Sequence, residues 1–316
     1  MIIEKHDTDY AICRIPSLII TDNGTLLACY ECRSSQSDWA QIDIKVIRSI
    51  DKGDSWQTIE IISGNGHTLN NPMLTYDKGV IHLLYCRDYK ELFYRKSVDG
   101  GGSFVEAREL TQVFEQNDRF YNVAAIGPGH GIVHNGNILL PVWFAYNHED
   151  EKAHHPSFIK TIWSNDSGKT WKLGEIIHKE DMIDPSECAL AVWQNKVVIS
   201  IRNESHCRKR AFAVSENGYC NWSEPIYMDA LHDPICMGSM FHTDNALYHI
   251  NCANTSVREN LTIKISHDMF ESYESVLVDE LGGYSDIAVK DGEIYVIYER
   301  DIWKPGNLCF KRIHKK

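Results

Sequence analysis

The sequence predicts an all-β protein, a six-bladed β-propeller of four-stranded antiparallel blades. A repeated turn motif, its spacing and the near-absence of helical periodicity carry that expectation. The motif Ser-x-Asp-x-Gly-x-Ser/Thr-Trp describes a tight turn in which Asp accepts backbone N–H groups, Gly takes a positive φ and the aromatic ring plugs the loop. It stands at residues 49–56 (SIDKGDSW), at 97–104 (SVDGGGSF, with Phe for Trp) and at 164–171 (SNDSGKTW). Two degraded copies follow: 215–222 (SENGYCNW), read with Glu216 in place of the Asp, and 266–273 (SHDMFESY), which lacks the Gly. Their third positions, taken as 51, 99, 166, 216 and 268, are 48, 67, 50 and 52 residues apart. A period of about fifty residues is the length of one four-stranded blade, so each copy marks one hairpin turn per blade.

The segments between the motifs are short alternating runs rich in Val, Ile, Tyr and Leu, at 25–30, 42–48, 80–86, 138–144, 158–164, 197–201, 261–266 and 293–298. Alternation with period two is the pattern of strands. Asp22-Asn23-Gly24, Asn135-Gly136-Asn137 and Asp291-Gly292 supply hairpin turns between runs. Five motif copies and a motif-free C-terminal segment give six blades over 1–316 as one domain. An N-terminal strand is expected to close the last blade beside C-terminal strands, which removes exposed sheet edges.

The 316 residues are 43% hydrophobic and 24% charged, a composition that fills a globular core and excludes disorder. The formal net charge of −12 speaks against nucleic acid or an anionic membrane as a general partner, and an anionic substrate would need a local cluster of cations. No apolar run is long enough to span a membrane, and Met1 to Asp7 lacks the basic start and apolar run of a secretory leader, so a cytoplasmic protein is expected. The ten cysteines are scattered through strand-like segments, and reduced, mostly buried thiols are expected. Cys29 and Cys32 form a C-x-x-C pair with no second pair for zinc, which reads as structural. No metal or other cofactor is expected: His130 and His134 are four apart, but Gly127-Pro128-Gly129 breaks the helix that spacing would need. Trp39, Trp143, Phe144 and Tyr146 could line a sugar pocket, although aromatic residues in propellers more often plug the core.

Several stretches stand in an order that resembles the sialidase (exo-α-neuraminidase) family along essentially the whole chain. They are Arg14-Ile15-Pro16, the Asp-containing turns, Gly127-Pro128-Gly129-His130-Gly131, Ser186-Glu187-Cys188 with Arg202-Asn203, Gly283-Tyr284-Ser285-Asp286-Ile287 and Tyr298-Glu299. The resemblance implies a sialidase-type propeller domain that hydrolyses a sialylated glycan or a small sialoside. It matches Arg14, Arg202 and Arg258 to the three arginines that clamp the substrate carboxylate. Guanidinium suits that task, since it stays charged and presents a planar fork of donors. Tyr284 matches the nucleophile and Glu187 the base that activates it. A neutral phenol avoids the repulsion that a carboxylate would meet beside the anomeric carboxylate of sialic acid, and tyrosine-based sialidases depart in this way from the usual carboxylate pair.

Asp38, in a polar loop, matches the general acid/base, with Asp43 as its rival. Glu299 matches the partner of the first arginine, and Arg33 and Asn71 match positions that contact ring substituents. Cys13 departs from the aromatic residue that many relatives carry before Arg-Ile-Pro, and no lectin module is appended, which favours a small soluble substrate. The same residues would serve a hydrolase of another nonulosonic acid, such as the deaminated sugar, or a transglycosylating sialidase. A non-catalytic sialic-acid-binding propeller and a protein-binding propeller are the alternatives outside the enzyme class. The lectin would not need Tyr284, Glu187 and Asp38 together, and the protein binder would not need three matched arginines.

Overall fold

A computed structural model describes residues 1–4, 10–301 and 307–314; Lys5 to Asp7 of the N-terminal stretch considered above lie outside the described residues. Six antiparallel sheets follow one another along the chain. Blade 1 holds Ile12–Ile20, Leu26–Arg33, Ile42–Ser49 and Gln57–Ile62, and blade 2 holds Leu69–Asp77, Val80–Arg87, Glu91–Ser97 and Arg108–Glu109. In blade 3 the first strand is split into Val123–Ile126 and Ile132–His134, both paired with Asn137–Ala145, before Ser157–Ser164 and Lys172–Leu173 complete the sheet. Blade 4 is Cys188–Trp193, Lys196–Ile201, Lys209–Ser215 and Ile226–His232, and blade 5 is Ser239–Thr243, Ala246–Cys252, Leu261–Ser266 and Glu274–Asp279. Blade 6 takes Gly282–Lys290, Glu293–Arg300 and Asn307–His314 from the C-terminus and Ile2–Glu4 from the N-terminus, the closure expected from sequence.

Strand direction divides the molecule into two ends. First strands begin, and second strands finish, at one end; the turns from first to second strands and the Asp-containing turns from third to fourth strands lie at the other. Apolar side chains from facing sheets fill the space between blades, as in the cluster of Met73, Leu84 and Tyr94 with Ala124, Leu140 and Trp171. Cys29 and Cys32, three apart on one strand, point to opposite faces and join different clusters, so the C-x-x-C pair cannot close.

At the turn end the hydrogen bonds of each turn aspartate are local. Asp166 Oδ1 accepts the Thr170 N–H at 2.9 Å and the Ser164 hydroxyl at 2.8 Å, while Oδ2 accepts the Thr170 hydroxyl at 2.6 Å. The turn glycine sits under the preceding blade: a Cβ on Gly53 would come within 2.1 Å of the Phe310 ring, and one on Gly101 within 2.1 Å of Leu27. The fourth copy corrects the sequence reading. Asn217, not Glu216, takes the aspartate position, accepting the N–H groups of Tyr219 and Cys220 at 3.0 Å each. The last two intervals, measured from 166 to 217 and from 217 to 268, are therefore both 51 residues. The fifth copy keeps the full hydrogen-bond set on Asp268, and Phe270 replaces the glycine at φ 69°, its buried ring packing on Phe212 of blade 4. Where other blades leave room for a neighbour's side chain, blade 5 supplies the side chain itself.

At the other end, register shifts interrupt the first strands of blades 1, 2 and 6 between Arg14 and Ser17, between Asn70 and Met73, and between Gly282 and Ser285. Such bulges bend a strand and re-aim its side chains. Here they turn Arg14, Asn71 and Tyr284, and two of them carry a proline, which supplies no N–H to the ladder at an irregular position. The split in blade 3 has a related cause. His130, from the Gly-Pro-Gly-His-Gly stretch between the two half-strands, bonds the fully buried Asp286 at 2.8 Å. Asp286 also accepts the Leu18 N–H at 2.7 Å and the Ser239 hydroxyl, so blades 1, 3, 5 and 6 meet on one carboxylate.

Candidate active site

The end at which first strands start holds a cleft with about 690 Å³ of empty space. Eight of the nine residues singled out from sequence line it: Arg14, Arg33, Asp38, Asn71, Glu187, Arg202, Arg258 and Tyr284. The ninth, Glu299, lies behind Arg14. Its Oε2 accepts Nε and Nη2 of Arg14 at 3.2 Å each, and its Oε1 accepts the Ile15 N–H at 2.8 Å.

Tyr284 enters from the bulged start of blade 6 and Glu187 from the residue just before blade 4. The phenol oxygen stands 2.9 and 2.8 Å from the two Glu187 carboxylate oxygens, and Arg202 donates to it at 3.1 Å while also pairing with Glu187. Burial pushes the Tyr284 phenol well above its ordinary range; Arg202 and Arg258 oppose the rise and Glu187 adds to it. The guanidinium groups of Arg14 and Arg258 lie over the same ring, 5.1 and 5.3 Å from its centroid. The three arginines thus converge on one tyrosine in a protein whose total charge is negative.

Asp38 and Asp43 separate cleanly. Asp38 is half-exposed in the cleft, 2.6 Å from Arg33 and 4.0 Å from Arg14. Asp43 accepts the Tyr10 hydroxyl at 3.0 Å and the Gly64 N–H at 2.8 Å and does not line the cleft. Burial tends to raise the Asp38 carboxyl, but Arg33 and Arg14 outweigh it and hold the carboxyl below its ordinary range. Arg33 is fully buried, bonded through Nε to Glu31 at 2.6 Å, and its remaining fork orients Asp38. Glu31 in turn accepts the Asn71 N–H at 2.8 Å, so one buried carboxylate supports two cleft residues.

Sequence reasoning missed Glu31, Tyr89 and His154. Glu31 was legible as the residue two before Arg33, on the same strand face; Tyr89 and His154 sit on loops whose course no local pattern gives. Tyr89, Trp143 and His154 line the cleft together, with His154 centred 5.0 Å from Tyr89 and 5.2 Å from Trp143. Trp39 packs on Tyr89 at 4.9 Å, whereas Phe144 is buried between Phe114 and Phe158, and Tyr146 is exposed. Arg202 Nε, Trp143 Nε1 and His154 Nε2 are buried without a hydrogen-bond partner among the described residues. Among the described residues no three His, Cys, Asp or Glu side chains stand close enough to hold a metal ion, and no helix is long and apolar enough to cross a membrane. None of the ten cysteines forms a disulfide, and eight are buried.

Comparison with known proteins places this architecture. A sialidase of Bacteroides fragilis is 24% identical over 98% of this chain and 63% of its own length. Sialidase-3 of Rattus norvegicus is 27% identical over 78% of this chain and 66% of its own. Among solved structures, the Hadza microbial sialidase Hz136 superposes with a TM-score of 0.80 at 21% identity, over 96% of this chain and 66% of that one, a likeness of fold. The chain spans less than two thirds of the length of each of these proteins. The BNR repeat-like domain matches residues 24–296, most of the sequence, and the chain belongs to that family.

Proposed function

We propose that the chain is a retaining exo-α-sialidase that releases terminal sialic acid through a covalent tyrosyl intermediate. The observation that carries this reading is the contact of Tyr284 with both oxygens of Glu187 beneath three converging arginines. An unassisted phenol is a poor nucleophile at neutral pH, and a carboxylate in hydrogen-bond reach is the usual remedy. A binding propeller would have no use for that pair. The similarity to proteins named sialidases supports the same reading.

The substrate carboxylate is held by Arg14, Arg202 and Arg258. Asp38 protonates the glycosidic oxygen as Tyr284 Oη attacks the anomeric carbon and passes its proton to Glu187. Water then attacks the anomeric carbon, Asp38 takes its proton, and Glu187 returns a proton to the departing phenolate. An acid held ionised by Arg33 and Arg14 before the substrate arrives is converted by the substrate itself. The incoming carboxylate neutralises Arg14 and adds negative charge nearby, and both raise the Asp38 carboxyl. In kcat, activity therefore falls as pH rises through the value Asp38 has in the complex.

The test is hydrolysis of the methylumbelliferyl α-glycoside of N-acetylneuraminic acid, run beside that of the deaminated sugar. Release from the first supports the proposal. Release from the second alone keeps the mechanism and changes the substrate, and silence on both with tight binding of the free sugar replaces the enzyme by a lectin.

A further inference from the structure

The three cleft arginines are not held alike. Arg14 has Glu299 and Arg202 has Glu187, but Arg258 has no carboxylate partner among the described residues. Its one hydrogen bond among those residues runs from Nη2 to the backbone carbonyl of Ile235, at 2.9 Å. A single carbonyl fixes a guanidinium only if the carbonyl itself is fixed.

Ile235 lies in the turn between blades 4 and 5 at φ 60°. A β-branched residue in the left-handed region is a genuine outlier, and such conformations persist where the surroundings over-determine them. The surroundings here are a buried ion pair. Arg210, on the third strand of blade 4, is fully buried and spends every donor group on this turn and its supports. Its Nη1 bonds Asp233 at 3.1 Å and the Cys236 carbonyl at 3.0 Å; Nε bonds the Ser200 hydroxyl at 3.0 Å; and Nη2 reaches the carbonyls of Ser200 at 3.1 Å and Glu187 at 3.4 Å. Asp233 also accepts the Cys236 N–H at 2.7 Å, closing a ring around Ile235. Asn251 braces the turn from blade 5 through the His232 carbonyl at 2.6 Å.

We infer that Arg210 and Asp233 are positioning residues: they hold Ile235 in its strained conformation so that its carbonyl aims Arg258 at the ligand carboxylate. A carbonyl anchor leaves the charge of Arg258 uncompensated, unlike the carboxylates behind Arg14 and Arg202. Arg258 is thus the arginine of the three with most to gain from an incoming anion, and the one whose aim depends on a distant buried pair. Through the Glu187 carbonyl, the same Arg210 keeps this turn in register with the base.

This inference rests on the sialidase reading, and the experiment separates the two. The affinity of the unsaturated (glycal) analogue of N-acetylneuraminic acid is measured by calorimetry for the parent protein, Asp233→Asn, Arg258→Met and the double variant, with thermal unfolding recorded for each. Asp233→Asn keeps the size of the side chain and removes the charge that pairs with Arg210, so the turn around Ile235 loses its hold. It is expected to weaken binding about tenfold, the scale of one lost charged hydrogen bond. In the Arg258→Met background the same change is expected to cost nothing further, because its effect runs through Arg258. Ile235→Gly, which takes a positive φ without strain, should restore most of the affinity lost in Asp233→Asn. Unchanged affinity in Asp233→Asn, or the same loss with and without Arg258, overturns the positioning role alone. A parent protein that does not bind the analogue contradicts the sialidase reading and this role with it. Should Asp233→Asn fail to fold, Arg210→Lys, which keeps the charge and loses the fork, takes its place with the same expected loss.

Discussion

The two ends of this propeller are built by opposite means. At the turn end each aspartate bonds residues two and four away in sequence, as Asp51 does with Ser49 and Ser55. At the cleft end Arg14 meets Glu299 across 285 residues and Tyr284 meets Glu187 across 97. Positive φ occurs at both. Glycine takes it in four of the five turns, whereas Ile15, Asn71 and Ile235 take it at the cleft, where Glu299, Glu31 and the Arg210–Asp233 pair hold the adjoining backbone. Local construction tolerates substitution, as Asn217 and Phe270 demonstrate. Distant construction concentrates charge and strain where a ligand can use them.

Four changes test that contrast. The largest effect belongs to Tyr284→Phe, which keeps the ring beneath Arg14 and Arg258 and removes the oxygen proposed to attack. Turnover should drop about a thousandfold or more while binding of the glycal analogue persists; full turnover in that variant breaks the assignment. Next comes Phe270→Gly at the turn end. It relieves backbone strain of about 1 kcal/mol but empties a buried aromatic site worth about 3–5 kcal/mol, a net loss of about 2–4 kcal/mol visible in denaturant unfolding. Catalysis per folded molecule should be unchanged, and a stabilised variant would mean that strain, not packing, dominates this turn.

Glu299→Gln sits between the extremes. Arg14 loses the charge of its partner, and KM should rise about ten- to a hundredfold, about 1.5–3 kcal/mol, with a smaller change in kcat. An unaltered KM would show that Arg14 needs no buttress.

The smallest effect is acid sensitivity at the turn end. Hydrogen bonds from Ser55 and Ser49 hold the Asp51 carboxyl at about 2, and Thr170 and Ser164 overcome slight burial to hold Asp166 at about 2. Both values are depressed on folding. The stabilisation is therefore complete above the ordinary carboxylate value of about 4 and is lost as pH falls through about 2. Melting temperature followed between those limits should decline, and Asp166→Asn should flatten the decline; a curve that ignores the substitution would remove these turns from the acid response.

The same contrast explains what the sequence made legible. Strands and turns are local, and the eight alternating runs, the five motif copies and the six blades were readable from period and spacing. One register was misread: Ser215 and Trp222 are correctly spaced, but the glycine comes one position early, and only the hydrogen bonds to Asn217 settle which residue fills the aspartate position. At the cleft, residues inside distinctive blocks were legible through resemblance. Among their supports Glu299 was legible in the same way, and Glu31 only from its place two before Arg33. Arg210 looks like any strand arginine, Tyr89 and His154 like loop residues, and nothing near Glu31 announces that Asn71, forty residues away, rests on it.

The central claim is that this distantly assembled cleft makes Tyr284 a nucleophile, and a difluorinated sialic acid tests it most directly. Such a sugar slows the second step and leaves the glycosyl group attached to whichever residue attacked. Intact-mass and peptide analysis after brief incubation should find one added sugar on the peptide that carries Tyr284, and none in Tyr284→Phe. An adduct on Asp38 or Glu187, or no adduct in protein that still turns over the fluorogenic glycoside, would contradict the account.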